Sequence, residues 1–307
     1  MKKQNKKRKW LRYTGAALLS LLLVGASYAF YLYRTVEKTV ANMQSDYHRD
    51  KSDKREEQVS LNNAKPFSVL LMGVDERSGD RGRSDTLIVM AVNPKAQSVK
   101  MISIPRDTRT LIVGRGTQDK INHSYAFGGE EMTVNTVENF LNIPVDYYIK
   151  MNMEGFVDIV DAVGGISVDN SFSFSQDQYS FAEGKLDLNG KEALAYARMR
   201  KKDPNGDFGR QQRQRQVIEG VLEKGANLSS VNKIDDILEA IGKNVETDLT
   251  FDEMKVIQKN YKEARHNIDQ IQIQGQGTKI NGIYYQVVPE QKRQEVISEL
   301  KTQLEIK

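Results

Sequence analysis

The 307-residue chain contains no cysteine. That absence removes disulfides, thiol nucleophiles and cysteine metal sites together. Histidine is nearly as scarce: His48, His123 and His266 are scattered, so a Ser-His-Asp hydrolase has no evident constellation. No G-x-S-x-G, H-E-x-x-H or G-x-x-x-x-G-K-[ST] occurs, which sets aside the nucleophile elbow, the zinc peptidase helix and the phosphate loop. Asp203-x-Asn205-x-Asp207 begins like an EF-hand loop. Phe208 replaces the required glycine and Gln214 the final glutamate, so the calcium reading fails. There is no internal repeat.

A general excess of positive charge is missing too. The formal net charge of +4 rests on 45 basic and 41 acidic residues. Seven of the basic ones (Lys2, Lys3, Lys6, Lys7, Arg8, Lys9 and Arg12) lie in residues 1–12, and without them 38 face 41. A broad nucleic-acid-binding surface is therefore excluded, and any basic residues that matter in the body must be clustered locally.

What is present begins with that basic tail. An uncharged segment follows, Tyr13 to Tyr33, rich in Leu, Ala and Val. As a helix it crosses a hydrocarbon core of ~30 Å. Trp10, Tyr13, Tyr28, Tyr31 and Tyr33 fall toward its ends, as interfacial residues do. Ala26-Ser27-Tyr28-Ala29 offers small residues for cleavage, but the apolar run is longer than a usual signal-peptide core and aromatics follow it. The reading is an uncleaved anchor with residues 1–12 cytoplasmic and the body outside, a single-pass type II arrangement. An exported body without disulfides relies on its core, which suits a bacterial cell envelope. Residues 34–65 are polar and charged: Val36, Val40 and Met43 can continue the membrane helix as a weakly amphipathic stalk, and after them the composition predicts a flexible tether. Residues 66–307 form the body.

Strand and helix signals interleave along the body. Val69–Met72, Leu87–Met90, Val99–Ile104, Val145–Met153 and Ile268–Gln274 read as strands. Helical spacing marks residues 130–141, 155–162, 191–197, 209–224 and 228–245, and Thr250 with Glu253 forms a capping box for another helix. Asn281-Gly282 signals a hairpin, and Pro289 suits the start of a last helix. The expectation is a single α/β domain with a central mixed sheet and helices on both faces, preceded by one transmembrane helix.

The chemistry concentrates at element ends. Asp75 closes the first strand and Asp85 opens the second, at one sheet edge if the strands are neighbours. Two readings stand at this point: a hairpin with solvated ion pairs, or a pair of carboxylates sharing a cation. Glu76, Arg77, Asp80 and Arg81 read as solvated loop charge. A second set is basic: Arg83, Arg106, Arg198, Arg200 and Arg210. Arg198 and Arg200 are two apart, which places them on one face of an extended segment. Arg210 and Gln214 share a helix face near its N-terminus, where a cation opposes the macrodipole unless an anion joins it. Arginine presents a planar fork of donors to phosphate, and Mg²⁺ takes carboxylate oxygens together with substrate phosphates. One site holding both sets would bind a diphosphate with its metal, an arrangement for phosphoryl transfer.

The ordered series LLMGVDERSGDRGRSDTLIVMAVNP, MISIPRDT, DKINHSYAFGG, VDYYIKMNMEGFVDIVDAVGGISV and LNGKEALAYARMRKKDPNGDFGRQQRQRQ resembles the LytR–CpsA–Psr family of Gram-positive bacteria, motif by motif from Pro66 to Leu222. The C-terminal part is similar to its teichoic acid transferase subgroup. The resemblance implies a phosphotransferase. It would move a polyprenyl-diphosphate-linked anionic glycopolymer, such as wall teichoic acid, onto a peptidoglycan sugar hydroxyl, with release of polyprenyl phosphate. It implies Mg²⁺ or Mn²⁺ on Asp75 and Asp85, and a diphosphate held by Arg83, Arg106, Arg198, Arg200, Arg210 and Gln214. Asp75, Arg83 and Arg106 would be catalytic. It implies an apolar groove for the lipid, for which Phe140, Leu141, Phe156 and Val160 are candidates, each equally an ordinary core residue. The same residues would serve a diphosphate hydrolase or a non-catalytic lipid-carrier binder. A membrane-bound transcriptional attenuator is remote, because a tail of about a dozen residues cannot form a recognition fold.

Overall fold

The alternation of the two opening strands gives one hairpin two apolar faces, and the fold covers each. In the computed structural model, which describes residues 2–45, 47–76, 81–226 and 234–307, helix α1 (Lys2–Met43) comes first. The first half of the body follows as β1 (Phe67–Val74), β2 (Ser84–Asn93), β3 (Ser98–Ser103), β4 (Arg109–Ile112), β5 (Thr117–Lys120), α2 (His123–Leu141), β6 (Tyr147–Asn152) and α3 (Met153–Ala162). Next come β7 (Ile166–Asn170), β8 (Phe174–Gln176), β9 (Tyr179–Phe181), β10 (Gly184–Leu188), α4 (Gly190–Arg198) and α5 (Asp207–Ala226). The chain closes with α6 (Ile234–Asn244), β11 (Val245–Thr247), α7 (Phe251–Tyr261), β12 (Ile268–Gln272), β13 (Gln276–Ile280), β14 (Ile283–Val287) and α8 (Glu290–Gln303).

Six strands form the central sheet in the order β11-β6-β1-β2-β3-β12. Its pairings are mixed: β1 is antiparallel to β2 and parallel to β6, and β3 is antiparallel to β2 and parallel to β12. Leu70, Met72, Leu87 and Val89 face α2 and α8, where Val134, Val137, Phe140, Leu141 and Leu300 complete the main core. Val69, Leu71, Met90 and Val92 face the other way, toward Tyr261 and Ile257 of α7. A further core, built on Val160, Ile166, Phe174, Tyr196 and Val217, ties α3, α4 and α5 to the small hairpins. The mixed sheet with helices on both faces is as the sequence predicts.

Local signals account for several boundaries. Asn152 caps α3 by accepting from the Gly155 amide at 2.7 Å. Reciprocal capping boxes start α4 (Asn189 with Glu192) and α7 (Thr250 with Glu253). The Gly128-Gly129 turn expected before residue 130 is a kink inside α2, with Gly129 at φ +63°. The helix expected over 228–245 is described only from Ile234, and its end gives way to the short strand β11.

Residues 44–65 correct the expectation of a flexible tether. Arg49 forms two hydrogen bonds to the buried Glu138 carboxylate, at 2.7 and 3.0 Å. Ser52 donates to the same group at 2.5 Å. Arg55 pairs with Asp146 at 2.6 Å, and Leu61 is buried near Tyr261. Composition reads this segment as solvated because its arginines stand among local acids, Asp50 beside Arg49 and Glu56 beside Arg55. Their partners are carboxylates about ninety positions away.

The start of the chain is one continuous helix. The segment from Leu18 to Met43 is long and apolar enough to cross a membrane, by length and composition. Its far end is buried: Val40 and Met43 pack with Val245 and Ile241.

Candidate active site

The β1–β2 hairpin brings the two aspartates to one sheet edge. A bulge at Gly73/Val74 ends the regular register, and the Asp75 amide donates to the Arg83 carbonyl at 3.1 Å. Gly82 makes this closure possible. It sits at φ +67°, and a Cβ there would lie 2.0 Å from the Asp75 carbonyl oxygen. Asp75 is half-buried and the Arg83 side chain is exposed. Glu76 departs from the solvated reading, since Tyr125 donates to it at 3.2 Å and Lys150 lies 3.7 Å away. Arg81 is exposed as expected, and Arg77 and Asp80 lie outside the described residues.

Asp85 is the junction of the site. Arg106, just beyond β3, donates from Nη1 to Asp85 Oδ2 at 2.5 Å. Asn122, immediately before α2, donates from Nδ2 to Asp85 Oδ1 at 3.1 Å. The Asn122 amide also donates to the Arg106 carbonyl at 3.2 Å. Asn122 was missed as a site residue. Its place in the DKINHSYAFGG motif was the available signal, since neither polarity nor spacing singles it out.

The α4–α5 segment supplies the other arginines. Arg198 ends α4 instead of lying in a strand, but Met199 is extended and fully buried between Arg198 and Arg200. Both arginines therefore still point away from the core. In the arginine-rich start of α5 the roles alternate. Arg213 is buried and structural: it pairs with buried Asp203 at 2.6 Å and donates to the Tyr196 and Met199 carbonyls. Gly209 leaves room for this pair, because a Cβ there would meet Asp203 Oδ2 at 1.9 Å. Arg215, also buried, donates to Ser103 Oγ at 2.8 Å and Gln270 Oε1 at 2.7 Å, fixing α5 to β3 and β12.

Arg210 belongs to the site. It is 8% exposed and pairs with Asp207 at 2.7 Å. Burial pulls its pKa below the usual arginine range; Asp207 and Asp85 oppose the shift, while Arg106 and Arg200 add to it. Arg106, Arg200 and Asp85 thus all lie within electrostatic reach of Arg210. Arg210 Nε is buried without a hydrogen-bond partner, as are Asn122 Oδ1 and Ser84 Oγ. Buried unpaired polar atoms and crowded like charges are both costly; an anion with several oxygens offsets the crowded charge and accepts from Arg210 Nε and the Ser84 hydroxyl, whereas Asn122 Oδ1 needs a donor.

An apolar cavity of about 110 Å³ adjoins this cluster. Leu71, Ile149, Met151, Phe156, Leu194 and Ile218 give it apolar walls, and Arg198, Gln214 and Asn152 are among its polar members. Gly73 and Thr86, from the strands that carry the aspartates, also line it. Of the four groove candidates, Phe156 lines the cavity, whereas Phe140, Leu141 and Val160 are packed in the cores. A larger cleft of about 470 Å³, between residues 54–66 and the C-terminus, includes none of the site arginines.

Asp75 and Asp85 are hard oxygen donors of the type Mg²⁺ takes. Among the described residues no group of three or more His, Asp or Glu side chains is arranged to hold a metal ion.

A family model described as the LytR_cpsA_psr family matches residues 30–302. The chain belongs to the LytR–CpsA–Psr family. It is 57% identical over 302 residues to the polyisoprenyl-teichoic acid–peptidoglycan teichoic acid transferase TagU of Bacillus licheniformis, covering 98% of both chains. Among solved structures it resembles TagU of Bacillus subtilis at 55% identity and a TM-score of 0.65, covering 79% of this chain and 98% of that one. It also resembles the LytR-CPS2A-psr family protein YwtF (TagT) with bound octaprenyl pyrophosphate lipid, at 30% identity and a TM-score of 0.68, covering 84% and 98%. A LytR–CpsA–Psr assignment accounts for a cationic cluster beside an apolar cavity on one sheet edge.

Proposed function

We propose that this chain is a phosphotransferase that moves an anionic glycopolymer, wall teichoic acid in the first instance, from a polyprenyl diphosphate carrier to a peptidoglycan sugar hydroxyl. The observation that carries this reading is buried Arg210 within electrostatic reach of Arg200 and of the bonded Arg106–Asp85 pair, next to an apolar cavity that Arg198 and Gln214 line. The transferase names of the relatives and the polyprenyl diphosphate bound to YwtF agree with it.

The arginines bind the diphosphate oxygens and stabilise the charge that builds on them. The cavity takes the first part of the lipid. The acceptor hydroxyl attacks the phosphorus nearest the glycan, a phosphodiester forms, and the bond to the bridging oxygen breaks to release polyprenyl phosphate. Both carboxylate oxygens of Asp85 already accept hydrogen bonds, from Arg106 and from Asn122. Asp75, on the same edge, is the better placed acceptor for the hydroxyl proton. Arg83 reaches the diphosphate from the hairpin loop. Mg²⁺ or Mn²⁺ held by Asp75 and Asp85 would add neutralising charge to the diphosphate. The helix of residues 13–33 anchors the chain in the cell membrane, residues 1–12 remain cytoplasmic, and the body from residue 66 works on the outer side of a Gram-positive envelope.

The test is incubation of the full-length protein with a polyprenyl-diphosphate-linked saccharide, with and without peptidoglycan oligomer. Acceptor-dependent release of polyprenyl phosphate, with saccharide phosphate appearing on the glycan, is expected. Release at the same rate without acceptor would identify a hydrolase instead.

A further inference from the structure

The end of the anchor helix and the apolar cavity share residues. Ile149 and Met151 of β6 line the cavity, and the same two side chains pack in the cluster formed by Val36, Val40 and Met43 of α1. Helix α3 is shared in the same way: Phe156 lines the cavity and Ile159, one turn on, joins the α1 cluster. The cavity therefore lies one side chain away from the helix that enters the bilayer.

The junction is built to be rigid. Tyr33 stacks edge-on against Phe251 at 5.4 Å, and Lys255 lies 5.7 Å over the Tyr33 ring. Thr39 packs so close to α6 that a Cβ on Gly242 would come within 2.9 Å of its Cγ2. Beyond the helix, Gln44 bridges to Thr247 in β-fashion, and the Ser45 amide donates to the Thr247 carbonyl at 3.2 Å. Helical backbone runs without a break from the exposed apolar segment into these contacts. A tether that served only to keep the body nearby would need none of this.

We propose that the anchor helix is a positioning element for the lipid substrate: its docked end holds the cavity mouth at a fixed height and tilt at the bilayer surface, so that a membrane-embedded polyprenyl chain passes beside the docked end of α1 into the cavity. The inference rests on the polyprenyl diphosphate reading of the site. A long lipid tail leaves most of its length in the membrane, so its diphosphate reaches the arginines only if the cavity stands at the depth where the tail emerges. Val36, Thr39, Val40, Met43 and Gly242 act through that geometry and touch no reacting atom.

The test separates positioning from tethering. A flexible twelve-residue Gly-Ser segment is inserted between Arg34 and Thr35, which leaves Thr39, Val40 and Met43 docked and the body attached. Such a segment adds a span of about 20 Å and no fixed direction. Transfer is measured with a long-chain polyprenyl donor in phospholipid vesicles and with a short-chain, water-soluble prenyl diphosphate donor in detergent. The insertion is expected to lower transfer in vesicles by about tenfold or more and to leave transfer from the short-chain donor unchanged, which also shows that the body is folded. Wild-type transfer by the insertion protein in vesicles would overturn the proposal, because tethering alone would then suffice. An equal loss on both donors would overturn it as well, because the defect would lie in the body. If the wild-type protein turned over neither donor, the reading of the site itself would fail.

Discussion

Asp85 and Arg106 lie at the ends of adjacent antiparallel strands and are joined by a 2.5 Å hydrogen bond between partly exposed side chains. The pair is close enough to fix both groups and open enough to meet a ligand. Replacing Asp85 by asparagine keeps the shape and removes the charge. Loss of a charged hydrogen bond costs about 1.5–3 kcal/mol, so transfer is expected to fall by roughly 10- to 150-fold. Arg106→Ala removes the partner and a diphosphate ligand together and is expected to abolish transfer. Steady-state transfer assays beside thermal melts check both; wild-type transfer by Arg106→Ala would sink the assignment.

Arg210 is held in place at the expense of its own solvation. Its partner Asp207 is partly exposed and also accepts from Gln211 at 2.9 Å, so loss of Arg210 does not strand a buried charge. Arg210→Met is expected to change unfolding free energy by less than about 1 kcal/mol while greatly weakening the binding of a diphosphate lipid. Denaturant unfolding and lipid binding, measured on the same preparation, test the split. A variant that binds lipid normally would remove Arg210 from the site.

Arg213 gives the opposite result. Its partner Asp203 is nearly fully buried, so Arg213→Ala strands a charge in the interior and is expected to cost about 3–5 kcal/mol. Gly209→Ala pushes a methyl group into the same carboxylate and should show a defect of the same kind. A melt of either variant at the wild-type temperature would refute the structural role.

Asp248 carries a pH signature. Burial raises its pKa from the usual aspartate range to about 6, with the Tyr148 amide bond partly offsetting the shift. The folded state therefore holds this proton more tightly than the unfolded chain does. The group leaves stability intact below the unfolded pKa and subtracts from it as pH rises through about 6. The shift of about two units corresponds to a penalty of up to ~3 kcal/mol above that range. Asp248→Asn keeps an oxygen for the Tyr148 amide and removes the charge. It is expected to stabilise the protein at pH 8 and to change little at pH 4. Denaturant midpoints at the two pH values decide, and equal effects at both would count against a charge penalty.

The segment before residue 66 can be tested by truncation. A body beginning at Pro66 loses Arg49, Ser52 and Arg55, and leaves Glu138 and Asp146 without their cations. Removing a partner from a buried pair costs about 3–5 kcal/mol. The truncated body is expected to melt well below one that begins at Gln44, and Glu138→Gln should recover part of the loss.

The sheet and most of the arginines were legible in the sequence because both are written locally. Leu70, Met72, Leu87 and Val89 alternate, Thr250 and Glu253 cap, and the basic residues stand where apolar runs stop. Residues 44–65 were misread because their meaning is non-local: Arg49 and Arg55 look solvated until Glu138 and Asp146 are brought to them. The short strands β5 and β11 carry too few residues for a period. Glu76 looked like loop charge because Tyr125 and Lys150 come from other elements. Asn122 had no signal of its own, and only the fold sets it against Asp85. The lipid side was the least legible. A groove wall and a core wall use the same residues, and Phe156 differs from Phe140 only in what stands opposite.

The alternation along the start of α5 has a practical consequence for genetics. In a loss-of-function screen the run from Arg210 to Arg215 will look like one essential patch, broken at exposed Gln212. Some of those alleles will fail at the donor and others by removal of the protein from the envelope. Abundance, read beside phenotype, will sort the run into two interleaved sets whose spacing follows the helix.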